Sequence, residues 1–90
     1  MHILFERNPA PGKLEVWGVY DWPLWNKGIS EFEWLYKVDE ACYLLDGHII
    51  VTPKDGEPME FFAGDYITFP AGLACHWQIL EEVNKHYRLG

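Results

Sequence analysis

Few side chains in this ninety-residue chain can do chemistry, and Glu40 comes first among them. It follows a segment in which Phe32, Trp34 and Tyr36 recur at every second residue. A carboxyl turned into aromatic surroundings is desolvated, which favours its neutral form and suits a general acid or base working near neutral pH. A plainer role is equally open: Glu40 accepts hydrogen bonds from Tyr36 or from backbone donors and orders its strand. The two cysteines, Cys42 and Cys75, lack the Cys-x-x-Cys pairing of zinc modules and are too few for a disulfide framework. Cys75 would be a nucleophile only with a lowered pKa, and no cation is assured on its face, so it reads as buried and inert. His2, His48 and His86 read as surface or interface residues.

The elements that must position these groups are strands. Short apolar or alternating segments bounded by Gly, Pro and Asp recur about every ten residues, as in an all-β sandwich or barrel. Turn chemistry at Asp46-Gly47, Lys54-Asp55-Gly56, Ala63-Gly64-Asp65 and Pro70-Ala71-Gly72 separates strands expected near residues 2–6, 32–37, 41–52, 58–62, 65–69, 74–81 and 84–89. Alternation places Phe32, Trp34 and Tyr36 on one core-facing side, and Cys75, Trp77 and Ile79 on another, with His76 and Gln78 outward. Residues 43–45 are apolar on both faces, as for a strand covered by an arm or a second subunit. Residues 8–30 combine Pro and Gly with Trp17, Trp22 and Trp25, and are expected to form an irregular arm, with a helical turn near residues 13–16.

Two spacings carry a family resemblance. Glu40, six residues, then Gly47 is similar to the end of the first cupin motif, and Gly64, five residues, then Pro70-Ala71-Gly72 is similar to the start of the second. Trp22-Pro23 with Trp25, Glu40-Ala41-Cys42-Tyr43, Leu45-Asp46-Gly47, Gly64-Asp65, Trp77 and Lys85-His86-Tyr87 more narrowly resemble the cupins related to ureidoglycine aminohydrolase. The resemblance implies a small antiparallel, jelly-roll-like β-barrel, commonly a dimer. The namesake enzymes use manganese to release ammonia from a ureide, with two cupin domains in one chain, whereas one domain over residues 1–90 is expected here.

Metal-binding cupins hold the ion with His-x-His, a following Glu and a His after the second turn. Counting from Glu40 and Gly72 puts Trp34, Tyr36 and Cys75 at the three histidine positions. An indole nitrogen has no lone pair to offer, so at least one ligand is lost. The expectation is therefore no metal, with Tyr36, Glu40 and Cys75 as the atypical set for manganese, zinc, nickel or iron if one binds. His76 does not substitute, because a one-residue slip would turn Trp77 and Ile79 outward.

The remaining arithmetic narrows the function. Fourteen acidic residues against seven Lys and Arg give a formal charge of −7, which excludes a sequence-independent grip on nucleic acid or an anionic membrane. No apolar run approaches the ~20 residues of a membrane helix, and with the cysteine usage this suggests a cytoplasmic setting. Three functions fit. One is a hydrolase, lyase or isomerase acting on a polar metabolite, with Glu40 as acid or base and Trp34, Tyr36, Cys75 and Trp77 lining the pocket. The second is a non-catalytic module binding the same kind of ligand, and the third a structural barrel with a filled interior. A homodimer is expected in each case, because open sheet edges need cover.

Overall fold

Two long strands organise the chain, and both bend in the middle. The computed structural model describes residues 2–90. Its strands are β1 (Leu4–Arg7), β2 (Leu24–Lys27), β3 (Ser30–Leu35), β4 (Glu40–Pro53), β5 (Met59–Phe62), β6 (Asp65–Phe69) and β7 (Ala74–Leu89), with one helix, α1 (Pro11–Trp17), and a 3-10 turn at Val19–Asp21. All pairings are antiparallel. The first half of β4 and the last half of β7 lie in a layer ordered β1-β6-β4-β7-β2, while their other halves carry β5 and β3 at the flanks. Among the described residues the ladders form no closed ring, so this is an all-β jelly-roll-like fold whose two layers share bent strands.

The bend has a local cause. The β4–β7 register shifts between Leu44 and Ile49. Bulges of this kind bend a strand and strengthen its twist. Inward residues on β4 accordingly change phase, from Glu40, Cys42 and Leu44 to Ile49 and Val51. Gly47, at φ +117°, sits in this bulge, where a Cβ would lie 2.9 Å from the Glu82 carbonyl oxygen and from the Val83 side chain. Asp46-Gly47, a turn signal within the strand expected over residues 41–52, is thus a bulge inside one continuous strand. Residues 74–81 and 84–89 likewise belong to one strand, with Leu80, Glu81 and Glu82 exposed at its bend.

The core fills the space between the layers. Leu44, Ile49, Val51, Phe61, Ile67, Phe69, Trp77, Ile79 and Val83 are essentially inaccessible. Phe69 of β6 meets Trp77 of β7 at 5.9 Å, and Phe5 of β1 meets Phe61 of β5 edge-on at 5.4 Å, so rings join opposite layers. Asp65 closes the turn before β6 by accepting a hydrogen bond from the Phe62 N–H at 2.9 Å and an ion pair from Arg7 at 2.7 Å.

The arm is more regular than its composition suggests. Pro11 opens α1 and Gly18 ends it in the left-handed conformation, at φ +70°, the usual division of labour between these residues. Leu14 is buried, Trp17 stacks on Tyr66 at 4.5 Å, and Tyr20 packs edge-on against Tyr43. The arm therefore covers the outer face of the β4–β6 layer, and its end pairs with β7 as β2. His86, expected at the surface or an interface, is buried beneath the arm, with Nδ1 donating to the Trp22 carbonyl at 2.9 Å.

Candidate functional site

A pocket of about 240 Å³ opens between the layers, lined by Trp25, Phe32, Trp34, Tyr36, Glu40, Trp77, Lys85, Tyr87 and Leu89. Its polar centre is an ion pair. Lys85 Nζ lies 2.7 Å from Glu40 Oε2, with both side chains less than a tenth exposed. The ammonium also stands 4.7 Å from the Trp25 ring centre and 5.0 Å from that of Trp77, within cation–π range of both. Strand geometry explains the meeting: Glu40 begins β4, Lys85 lies on the neighbouring strand opposite Leu44, and both point between the layers. Charge compensation of this kind offsets much of the cost of burying either group alone.

The loop before β4 fixes Glu40 in place. Tyr36 N–H donates to the Leu73 carbonyl at 2.9 Å, Gly72 N–H to the Tyr36 carbonyl at 2.6 Å, and Ala71 N–H to Asp39 Oδ1 at 2.7 Å. The turn at Pro70-Ala71-Gly72 is thereby clipped to the segment carrying Tyr36 and Glu40. Tyr36 is buried and lies parallel to Phe69 at 4.7 Å. Burial, and then the Glu40 charge, push its hydroxyl well above the ordinary tyrosine range.

Of the residues singled out in the sequence, Trp34, Tyr36, Glu40 and Trp77 come together around this pocket. Trp34 differs from its expected place in the core: 49% exposed, it stands at the rim, edge-on to Tyr36. Cys75 is buried but does not reach the lining, being opposite Trp34 across the β3–β7 ladder. Burial pushes its thiol up to about 11, as expected of an unreactive cysteine. The Trp77 indole N–H is buried without a hydrogen-bond partner among the described residues. His76 points outward and bridges Glu31 and Glu33 at 2.8 and 2.5 Å.

Lys85 and Trp25 were not picked out in the sequence as site residues. The signal for Lys85 was present, since it shares parity with Cys75, Trp77, Ile79 and Val83, all inward-facing. Trp25 reaches the pocket only because β2 pairs with β7, Trp25 opposite Lys85. Of the two surroundings considered for Glu40, aromatic rings or hydrogen bonds from Tyr36 and backbone donors, neither included the Lys85 ammonium that its carboxylate faces.

The residues at the ligand positions do not suit the metal that the resemblance implies. Trp34 has no donor atom to give, Tyr36 is held as the phenol, Cys75 lies outside the lining, and Lys85 opposes a second cation beside Glu40. Among the described residues, no three His, Cys, Asp or Glu side chains are grouped to hold a metal ion.

Fold and motifs together define a cupin. The chain belongs to the EutQ-like cupin domain family, whose model matches residues 14–87. It is similar to a DUF861 family protein from Thermotoga maritima, at 45% identity and a TM-score of 0.95 over 99% of this chain and 100% of that one. The Clostridium difficile EutQ protein shares the fold at 21% identity and a TM-score of 0.66, over 73% of this chain and 52% of that longer chain. A cupin superfamily protein from Desulfitobacterium hafniense does so at 14% identity and a TM-score of 0.61, over 96% and 74%. No curated protein matches the chain.

Proposed function

We propose that this cupin binds a small, polar, partly planar metabolite in the pocket between its layers and does so without a metal ion. The buried Glu40–Lys85 pair in the pocket wall carries the reading. Buried ion pairs seldom stabilise a fold more than apolar residues of similar size, so a pair kept in the wall of a cavity speaks for use. Lys85 engages only Oε2 of Glu40. The other carboxylate oxygen and the remaining ammonium protons suit a ligand that donates and accepts side by side, such as an amide or ureide, with aromatic walls for its plane.

The finer reading is a hydrolase or lyase of the kind suggested by the resemblance to ureidoglycine aminohydrolase cupins. Glu40 moves the proton, and Lys85 supplies the fixed positive charge that opposes developing negative charge. One domain over residues 1–90, a cytoplasmic setting and a homodimer complete the proposal.

A thermal-shift screen of ureides and small amides tests the binding. A true ligand at 100 times its dissociation constant stabilises the fold by about 2.7 kcal/mol. Glu40→Gln abolishes turnover of a ligand that is also a substrate, whereas a binding module loses only part of its affinity. Elemental analysis after chelator-free purification is expected to find less than about a tenth of an equivalent of manganese, zinc, iron or nickel. A full equivalent overturns the metal-free reading.

A further inference from the structure

We infer that Lys85 captures a small aldehyde or ketone as a protonated imine, with Glu40 as proton shuttle and counter-ion. This rests on the pocket being a ligand site, and adds a covalent step to it. The chain has five lysines, of which Lys13, Lys27, Lys37 and Lys54 are exposed and Lys85 alone is buried in a cavity wall. An exposed ammonium stays protonated near neutral pH and has no lone pair with which to attack. At Lys85 the proton has somewhere to go, because Glu40 Oε2 lies 2.7 Å away.

The step balances within the pocket. Glu40 takes one proton from the ammonium, and the freed lone pair of Nζ forms a bond to the carbonyl carbon while the carbonyl π electrons move to oxygen. Glu40 delivers its proton to that oxygen. It then removes a second proton from nitrogen and passes it to the hydroxyl, which leaves as water while the nitrogen lone pair forms the C=N bond. The carbonyl oxygen and two ammonium protons become water, one proton stays on the iminium, and Glu40 ends as carboxylate. The product keeps the positive charge of the lysine, so Glu40 and the rings of Trp25 and Trp77 that surround the ammonium also suit the iminium.

Benzaldehyde with cyanoborohydride provides the test, using the whole chain at neutral pH and locating reduced adducts by peptide mass mapping, which separates the lysines from the reactive α-amino group. Lys85 is expected to be modified at least about tenfold faster than any of the four exposed lysines, and Glu40→Gln to slow it about a hundredfold. Lys85→Arg keeps the charge, cannot form an imine and gives no adduct at that position. Should Glu40→Gln prove poorly folded, the ranking of lysines within the unaltered chain still decides. Benzamide, similar in shape but without an electrophilic carbonyl of this kind, reports non-covalent binding by thermal shift. Benzamide binding with labelling spread evenly over the lysines, or with Lys85 least labelled, overturns the imine step while the pocket reading stands. No shift with benzamide and no Lys85 adduct overturns both.

Discussion

The Glu40–Lys85 pair forms the polar centre of the pocket. Each group is buried at low exposure and neutralised by the other, so removing one partner strands a charge. Lys85→Met is expected to lower stability by about 3–5 kcal/mol in urea unfolding, and Lys85→Met with Glu40→Leu to recover most of that loss, since apolar replacement of both members of such a pair is often near neutral. His76 offers a contrasting surface case. Hydrogen bonds first to Glu31 and then to Glu33 raise its pKa above the ordinary 6.5. The protonated ring is therefore favoured in the folded state. Its contribution is complete below pH 6.5 and is lost as pH rises through the folded value. The melting temperature of His76→Ala should fall below that of the parent at pH 5.5, and the difference should shrink by pH 9. The thiols follow from burial as well: Cys42 and Cys75, both pushed up to about 11, should resist alkylation at pH 7 in the folded chain and react on unfolding.

At the scale of elements, the β4 bulge decides where residues point. Before it, Glu40, Cys42 and Leu44 face inward, and after it Ile49 and Val51 do. Gly47 makes this phase change with a backbone conformation that L side chains rarely adopt and in a space that a Cβ would overfill. Gly47→Ala is expected to cost about 2 kcal/mol or more, read as a lowered urea midpoint. Strand alternation was legible in the sequence for β7, where Cys75, Trp77 and Ile79 do share the inward face. It misjudged Trp34, because β3 pairs on one side only and its rings lie at the edge of the pocket, so parity chose the face but not the depth. The arm was legible as an aromatic cover. Its helix was legible only as a turn near residues 13–16, and its full extent from Pro11 to Trp17 was not, since a seven-residue helix with one buried side chain is held by packing on the sheet rather than by its own propensity.

For the molecule as a whole, the arm settles one question about assembly. The outer wall around Tyr43 is covered by Tyr20 of the same chain, so the proposed partner is placed instead at β1, an end strand of its layer with Leu4 and Phe5 substantially exposed. Light scattering at micromolar concentration should give twice the chain mass, and Leu4→Lys should shift the protein toward monomer. A monomer for the parent chain argues against this edge as an interface.

Within the sequence, the β class followed from turn chemistry and period-two patterning, which are local properties of neighbouring residues. The loss of the usual metal ligands followed from residue type, because an indole cannot ligate in any fold. Which residues meet in the pocket depended on the tertiary structure. Lys85 stands forty-five residues from Glu40 and sixty from Trp25, and they meet only when β4, β7 and β2 pair in this register. Alternation could place a lysine on an inward face, but only three-dimensional packing could show that a carboxylate and two indole rings wait there to hold its charge.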